Sequence, residues 1–316
     1  MTSSATDDPL RPFLSTPAGL VLDGGLATEL ERRGFDLAHP LWSARLLRER
    51  PKAIGSVHRA YLDAGADCIT TASYQATVEG FRRAGATTAE AEGLLRLSVS
   101  LAKAVRDAFW TDSDRDPARL RPLVAASIGP YGACLADGSE YTGAYDRDER
   151  GLVAFHRERM STLLEAGPDL LACETIPSLT EARALAAVLA EHGDVRAWVS
   201  FSCRDAARLC DGTPFAEAVR AVAELPQVVA VGVNCTAPAH VEELLQVASA
   251  VTAKPLVAYP NSGETYDARA KAWRGRLDPA DWGQLGHTWR AAGARLLGGC
   301  CRTGPHHVRA MRAALA

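Results

Sequence analysis

Three cysteines and two carboxylates stand at the ends of apolar runs in this chain. The runs close in Asp23-Gly24-Gly25, Glu174-Thr175, Asn234-Cys235 and Gly298-Gly299-Cys300-Cys301. Thiolates are ligands for thiophilic cations, and zinc takes them at about 2.3 Å in tetrahedral sites. Cys235, Cys300 and Cys301 would supply three protein ligands. The fourth position would then be free for water or substrate, as in a catalytic zinc centre. Adjacent cysteines such as Cys300-Cys301 rarely meet disulfide geometry without strain, and Gly298-Gly299 before them lets backbone come close to a metal or ligand.

The other cysteines, Cys68, Cys134, Cys173, Cys203 and Cys210, lie mostly in apolar segments and read as small buried hydrophobes. Cys203 also closes an apolar run and is the nearest competitor as a ligand. Asp23 before two glycines is good turn chemistry as well as a candidate site acid. Glu174 follows Leu170-Leu171-Ala172-Cys173, where a carboxylate is costly unless paired or functional. Two acids at one rim suit an ammonium group. They also suit a glycosidase, in which two carboxylates flank the scissile bond, but that chemistry leaves the thiols without a role.

Such residues work together only if the fold converges them. Apolar, β-branched runs fall at 20–23, 68–74, 123–128, 170–176, 197–203, 228–235, 256–260 and 295–301, with helical patterns after them. Continuous apolar runs mark parallel strands buried on both faces. Eight such units in 316 residues predict an α/β fold, a (β/α)8 barrel, rather than an open doubly wound sheet. In a barrel the C-terminal strand ends share one face and one pocket. The long loops 131–145 and 261–277 would rise from that face. One barrel domain, 17–316, is expected after a flexible polar tail, 1–16.

A net charge of −3 gives no reason to expect a nucleic-acid partner. The first sixteen residues hold no apolar signal core, and no run is long enough to span a bilayer. A cytoplasmic protein with reduced thiols is expected. No heptad or apolar tail specifies an oligomeric state.

With those residues laid out, the chain resembles the homocysteine S-methyltransferase family. The matching segments are Asp23-Gly24-Gly25-Leu26-Ala27-Thr28-Glu29-Leu30, Thr71-Ala72-Ser73-Tyr74-Gln75-Ala76-Thr77, Ser127-Ile128-Gly129-Pro130-Tyr131-Gly132 and Glu174-Thr175-Ile176-Pro177. They continue with Gly232-Val233-Asn234-Cys235, Tyr259-Pro260-Asn261-Ser262-Gly263-Glu264 and Gly298-Gly299-Cys300-Cys301. The ordered set runs from about residue 18 to the C-terminus.

The resemblance implies a barrel with zinc on Cys235, Cys300 and Cys301 and with the homocysteine sulfur on the zinc. It implies that Asp23 and Glu174 hold the amino group, and that backbone around Gly25 and Thr28 holds the carboxylate. The branch it is most similar to forms methionine from a sulfonium donor, S-methylmethionine or S-adenosylmethionine. The betaine-using branch carries an aromatic residue where Thr175 stands here. Trp42 and Tyr74 match aromatic positions of the family's donor site, and aromatic faces attract onium ions; for Trp42, helix–barrel packing is the alternative. Asn234 and Asn261 either orient substrate or satisfy loop backbone. Two other readings stay open: the same site acting on a selenol such as selenocysteine, and a non-catalytic zinc or redox-sensing barrel. In the latter, Cys203, His306 or His307 would close the metal's fourth position.

Overall fold

Eight parallel strands form a ring: β1 (Leu20–Val21), β2 (Cys68–Thr70), β3 (Leu123–Ile128), β4 (Leu170–Ile176), β5 (Ala197–Phe201), β6 (Val228–Asn234), β7 (Leu256–Tyr259) and β8 (Ala294–Leu297). The computed structural model describes residues 8–39, 41–263, 265–267, 272–274 and 279–316. Sequential strands pair from β2 round to β8. β8 then pairs with β1 through Leu20 opposite Leu296 and Val21 opposite Leu297. A parallel bridge between Leu22 and Cys68 joins β1 to β2 and closes the ring. The expected (β/α)8 barrel is the fold. Between β7 and β8, Thr265–Asp267 and Ala272–Arg274 pair as a small antiparallel ribbon. Most of the rest of the expected 261–277 loop lies outside the described residues.

Alternation along each strand sorts the side chains. Val21, Ile69, Val124, Leu171, Val199 and Val231 pack in the layer shared with the helices. Leu20, Leu22, Ala125, Leu170, Ala172, Trp198, Ala230, Val257, Tyr259 and Leu296 form the barrel interior. One large ring, Trp198, is accommodated because Ala125, Ala172 and Ala230 share its cluster. Toward the strand C-termini the interior turns polar. Trp198 Nε1 donates to the Tyr259 hydroxyl at 2.9 Å, that hydroxyl pairs with Ser200 Oγ at 2.6 Å, and Ser200 Oγ donates to Asn234 Oδ1 at 2.9 Å.

Side-chain caps start the helices that leave the site loops. Asp148 accepts from Gly151 N ahead of Glu149–Leu164, and Ser178 accepts from Glu181 N ahead of Leu179–Ala190. Such caps satisfy amide donors that the first helical turn leaves unpaired.

The N-terminal segment differs from the sequence expectation. Within the stretch read as a flexible tail, Arg11–Leu14 is a helix that sends Leu10 and Phe13 into the interior cluster with Leu20 and Trp198. Arg295 Nη2 ties this segment down by donating to Leu14 O at 2.6 Å and Thr16 O at 3.1 Å. The barrel floor is apolar and needs a cover, and these side chains supply it. Phe13 is 3 % exposed; Phe13→Ala is expected to lower stability by about 3–5 kcal/mol in urea denaturation. A loss below about 0.5 kcal/mol, typical of a surface change, would show that the segment does not plug the barrel.

Candidate active site

A cavity of about 600 Å³ opens at the C-terminal ends of the strands, and Asp23, Glu174, Cys235, Cys300 and Cys301 all line it. Its walls depend on strained turns. In β4 the register to β5 slips between Cys173 and Ile176, and Thr175 takes φ +62°. That conformation is unfavourable for a β-branched residue and persists only where neighbours hold it. Asn234 does so with both ends of its amide. Its Oδ1 accepts from Thr175 N at 2.7 Å and its Nδ2 donates to Thr175 Oγ1 at 2.8 Å. The bulge re-aims the strand end, and Glu174 is left on the cavity wall. The residue just after β6, Cys235, is also left-handed, at φ +49°.

Cys235 Sγ lies 3.6 Å from Cys301 Sγ, and the three sulfurs all lie within 4.8 Å of one another. Tetrahedral zinc–thiolate bonds of about 2.3 Å put sulfurs about 3.8 Å apart, so this donor set fits a thiophilic metal ion. Among the described residues neither Cys203, His306 nor His307 joins the cluster. His307 Nδ1 instead accepts from Gly304 N at 3.0 Å. Hydrogen bonds from the Cys235 and Cys300 thiols hold Cys301 well below the usual thiol range, while its bonds to Cys235 and Cys301 push Cys300 up. Three converging thiols, one of them held toward its thiolate form, favour cation uptake.

The two acids sit deep in the same cavity. Asp23 is 4 % exposed and Glu174 8 %. Asp23 Oδ2 accepts from Thr70 N at 2.8 Å, and the Thr70 hydroxyl donates to the same carboxylate at 3.1 Å. Burial raises Asp23 to about 8 against the pull of these bonds. Burial likewise raises Glu174 to about 7, offset in part by hydrogen bonds from Ser127 and Tyr259. Three carboxylates, Asp23, Glu140 and Glu174, line the cavity, and among the described residues no Lys or Arg does. Such a cavity favours cationic groups. Trp42 and Tyr74 form another part of its wall, their rings edge to face at 6.2 Å.

Comparison with known proteins agrees with this geometry. The family model for homocysteine S-methyltransferases matches residues 20–315. The chain belongs to the homocysteine S-methyltransferase family. A Bacillus subtilis relative, homocysteine S-methyltransferase YbgG, is 49 % identical over 306 residues, covering 97 % of each chain. A Brassica oleracea relative named selenocysteine Se-methyltransferase is 43 % identical, covering 98 % of this chain and 92 % of that one. The metallated form of the Escherichia coli homocysteine methyltransferase MmuM superposes with a TM-score of 0.86 at 47 % identity, covering 97 % of this chain and 99 % of that one.

Within this homocysteine S-methyltransferase family member, the structure brings together most of the residues singled out in the sequence. Gly25, Thr28, Trp42 and Tyr74 line the cavity with the acids and thiols. Asn234 and Asn261 do not. Asn234 is fully buried behind the wall, clamping Thr175 and reaching Cys300 Sγ at 3.9 Å. Asn261 is half-buried, with its backbone N donating to Thr236 O at 3.1 Å. Gly298 and Gly299 admit close protein neighbours, and Gly299 also lines the cavity. A Cβ there would meet Leu22 Cβ at 2.6 Å and Thr303 Oγ1 at 2.3 Å respectively. Sequence reasoning passed over Ser127 and Tyr259, which hydrogen-bond Glu174. It also passed over Glu140 and Tyr141, whose hydroxyl lies 3.4 Å from Cys235 Sγ. Their signal was their place in the loop after β3, on the active face of a barrel.

Proposed function

We propose that this chain transfers a methyl group from a sulfonium, S-methylmethionine or S-adenosylmethionine, to the thiol of homocysteine, with zinc as its metal. One observation carries the reading: three converging thiols share a cavity with two buried acids and, among the described residues, no Lys or Arg on its wall. The relatives' names agree with it. When bound, zinc would supply the Lewis acidity that keeps a coordinated thiol deprotonated at neutral pH. The chain's own residues do the rest. Asp23 and Glu174 hold the acceptor's ammonium, and backbone around Gly25 and Thr28 takes its carboxylate. The Trp42 and Tyr74 rings attract the sulfonium. A bond forms from the acceptor sulfur to the methyl carbon. The old carbon–sulfur bond breaks with its electron pair staying on the departing neutral thioether, and the acceptor's thiol proton is released. The donor already carries its activating charge, so alignment is the protein's main contribution. The Asn234–Thr175 clamp serves it by fixing Glu174.

The Brassica oleracea relative favours a second acceptor of the same chemistry, a selenol such as selenocysteine. The eight cysteines are all free, which suits a reducing cytoplasm, and among the described residues no helix is long and apolar enough to cross a membrane. Metal content measured together with methionine formation, with each sulfonium in turn, tests the proposal. About one zinc per chain and turnover with one of the two donors is expected. Bound zinc with no turnover on either donor would overturn it. Running homocysteine and selenocysteine at equal concentration separates the acceptors.

A further inference from the structure

The cavity contains a third carboxylate that the acceptor does not need. Glu140 sits in the short turn Ser139–Tyr141, within the loop that follows β3. That loop is built to present it. After the helix Tyr131–Leu135 the chain reverses through left-handed Ala136, φ +56°, and Gly138, φ +86°. The backbone of Glu140 then packs onto Gly132, where a Cβ would stand 2.5 Å from Glu140 N. Only glycine permits that approach. Glu181, fully buried, fastens both ends of the loop: its Oε1 accepts from Tyr131 N at 2.6 Å and its Oε2 from the Tyr145 hydroxyl. His156 Nε2 supports the same carboxylate at 2.8 Å.

Held this way, Glu140 lines the cavity with Trp42, Tyr74 and Tyr141. Its Oε2 is buried and, among the described residues, meets no hydrogen-bond donor. A buried carboxylate oxygen without a partner is costly, and the cost is relieved by a cation. No described Lys or Arg lines the wall, so a cationic group carried by a ligand fits here. The acceptor's ammonium is matched by Asp23 and Glu174, and the sulfonium by the aromatic rings. The charge left unmatched is the amino group of an amino-acid donor. We propose that Glu140 binds the donor's α-ammonium, and so selects sulfonium amino acids over simple sulfonium ions as methyl donors. This rests on the methyl-transfer reading above.

Glu140→Gln keeps the side chain's size and removes its charge. With S-methylmethionine the donor KM is expected to rise about tenfold or more, while homocysteine KM and metal content stay within about twofold. Trimethylsulfonium carries no ammonium, so its inhibition constant against the donor should be the same in both proteins to within about twofold. A donor KM unchanged to within about twofold would overturn the proposal. So would an inhibition constant for trimethylsulfonium that rises in step with donor KM, because Glu140 would then serve the sulfonium itself. Calorimetric binding of S-methylmethionine to the zinc-loaded protein reads the same contact without turnover. Equal affinity in wild type and variant counts against Glu140. Weakened binding in a protein that transfers no methyl group counts against the methyl-transfer reading alone.

Discussion

Cys300→Ala is expected to abolish metal retention and methyl transfer together. The three sulfurs lie within 4.8 Å of one another, so one ion can engage all of them. Zinc bound by four ligands in small structural sites gains about 10–16 kcal/mol, or about 3 kcal/mol per ligand. Losing one thiolate therefore costs about a hundredfold in metal affinity. Catalysis should fall further, because the remaining sulfurs no longer fix where the acceptor thiol sits. Cys300 is half-buried at a strand end rather than in the helix–strand core, so the fold should survive the change. Cys203→Ala is the control. Cys203 is 7 % exposed just past β5, the strand beside the one that leads to Cys235, yet stands outside the sulfur cluster. It should keep metal and activity within about twofold, at a stability cost of about 1 kcal/mol. Metal analysis by mass spectrometry and methionine formation decide between these outcomes. A metal-replete, active Cys300→Ala protein would remove the basis for the metal centre.

The barrel was legible because each strand is an apolar run, buried on both faces. For β3 and β4 even the boundaries agree with the runs at 123–128 and 170–176. Elsewhere the runs overshoot. The run at 68–74 ends as a strand at Thr70, and the run at 295–301 corresponds to Ala294–Leu297. Tyr74, Cys300 and Cys301 leave the ladder to face the cavity, and hydropathy does not separate a strand from the turn that caps it. The clamp by Asn234 was hidden for a related reason. It depends on Thr175 adopting a left-handed conformation, which is against the preference of a β-branched residue and is imposed by tertiary contacts. Asn234 therefore stayed open between orienting substrate and satisfying backbone, and the structure has it clamp Thr175. Leu10 and Phe13 show the limit of periodicity. Leu10 just before a four-residue helix and Phe13 within it make no pattern, although the barrel floor needs them.

Glu174→Gln is expected to weaken acceptor binding by about two orders of magnitude while leaving the metal in place. Removing one partner of a buried, hydrogen-bonded charge pair costs about 2–5 kcal/mol. Glu174 is not among the clustered metal donors, so metal content should not change. The pH behaviour follows from the same burial. Burial raises Asp23 from 3.8 to about 8 and Glu174 from 4.5 to about 7. Because both folded values lie above the unfolded ones, ionisation opposes folding of the ligand-free protein. Their contribution to stability is greatest below about pH 4 and declines as pH rises through about 7 to 8. An ammonium ligand reverses the preference by binding the ionised pair. Its affinity should thus rise with pH up to about 8, and its binding near pH 6.5 should release on the order of one to two protons. Methionine is the ligand to use, since it has the ammonium but no thiol to deprotonate. Calorimetry in buffers of different ionisation enthalpy counts the protons. In Glu174→Gln the release should fall by nearly one proton near pH 6.5, because only Asp23 is left to ionise. Unchanged release in that variant, or affinity that falls between about pH 6 and 8, would show that the acids do not hold the amino group.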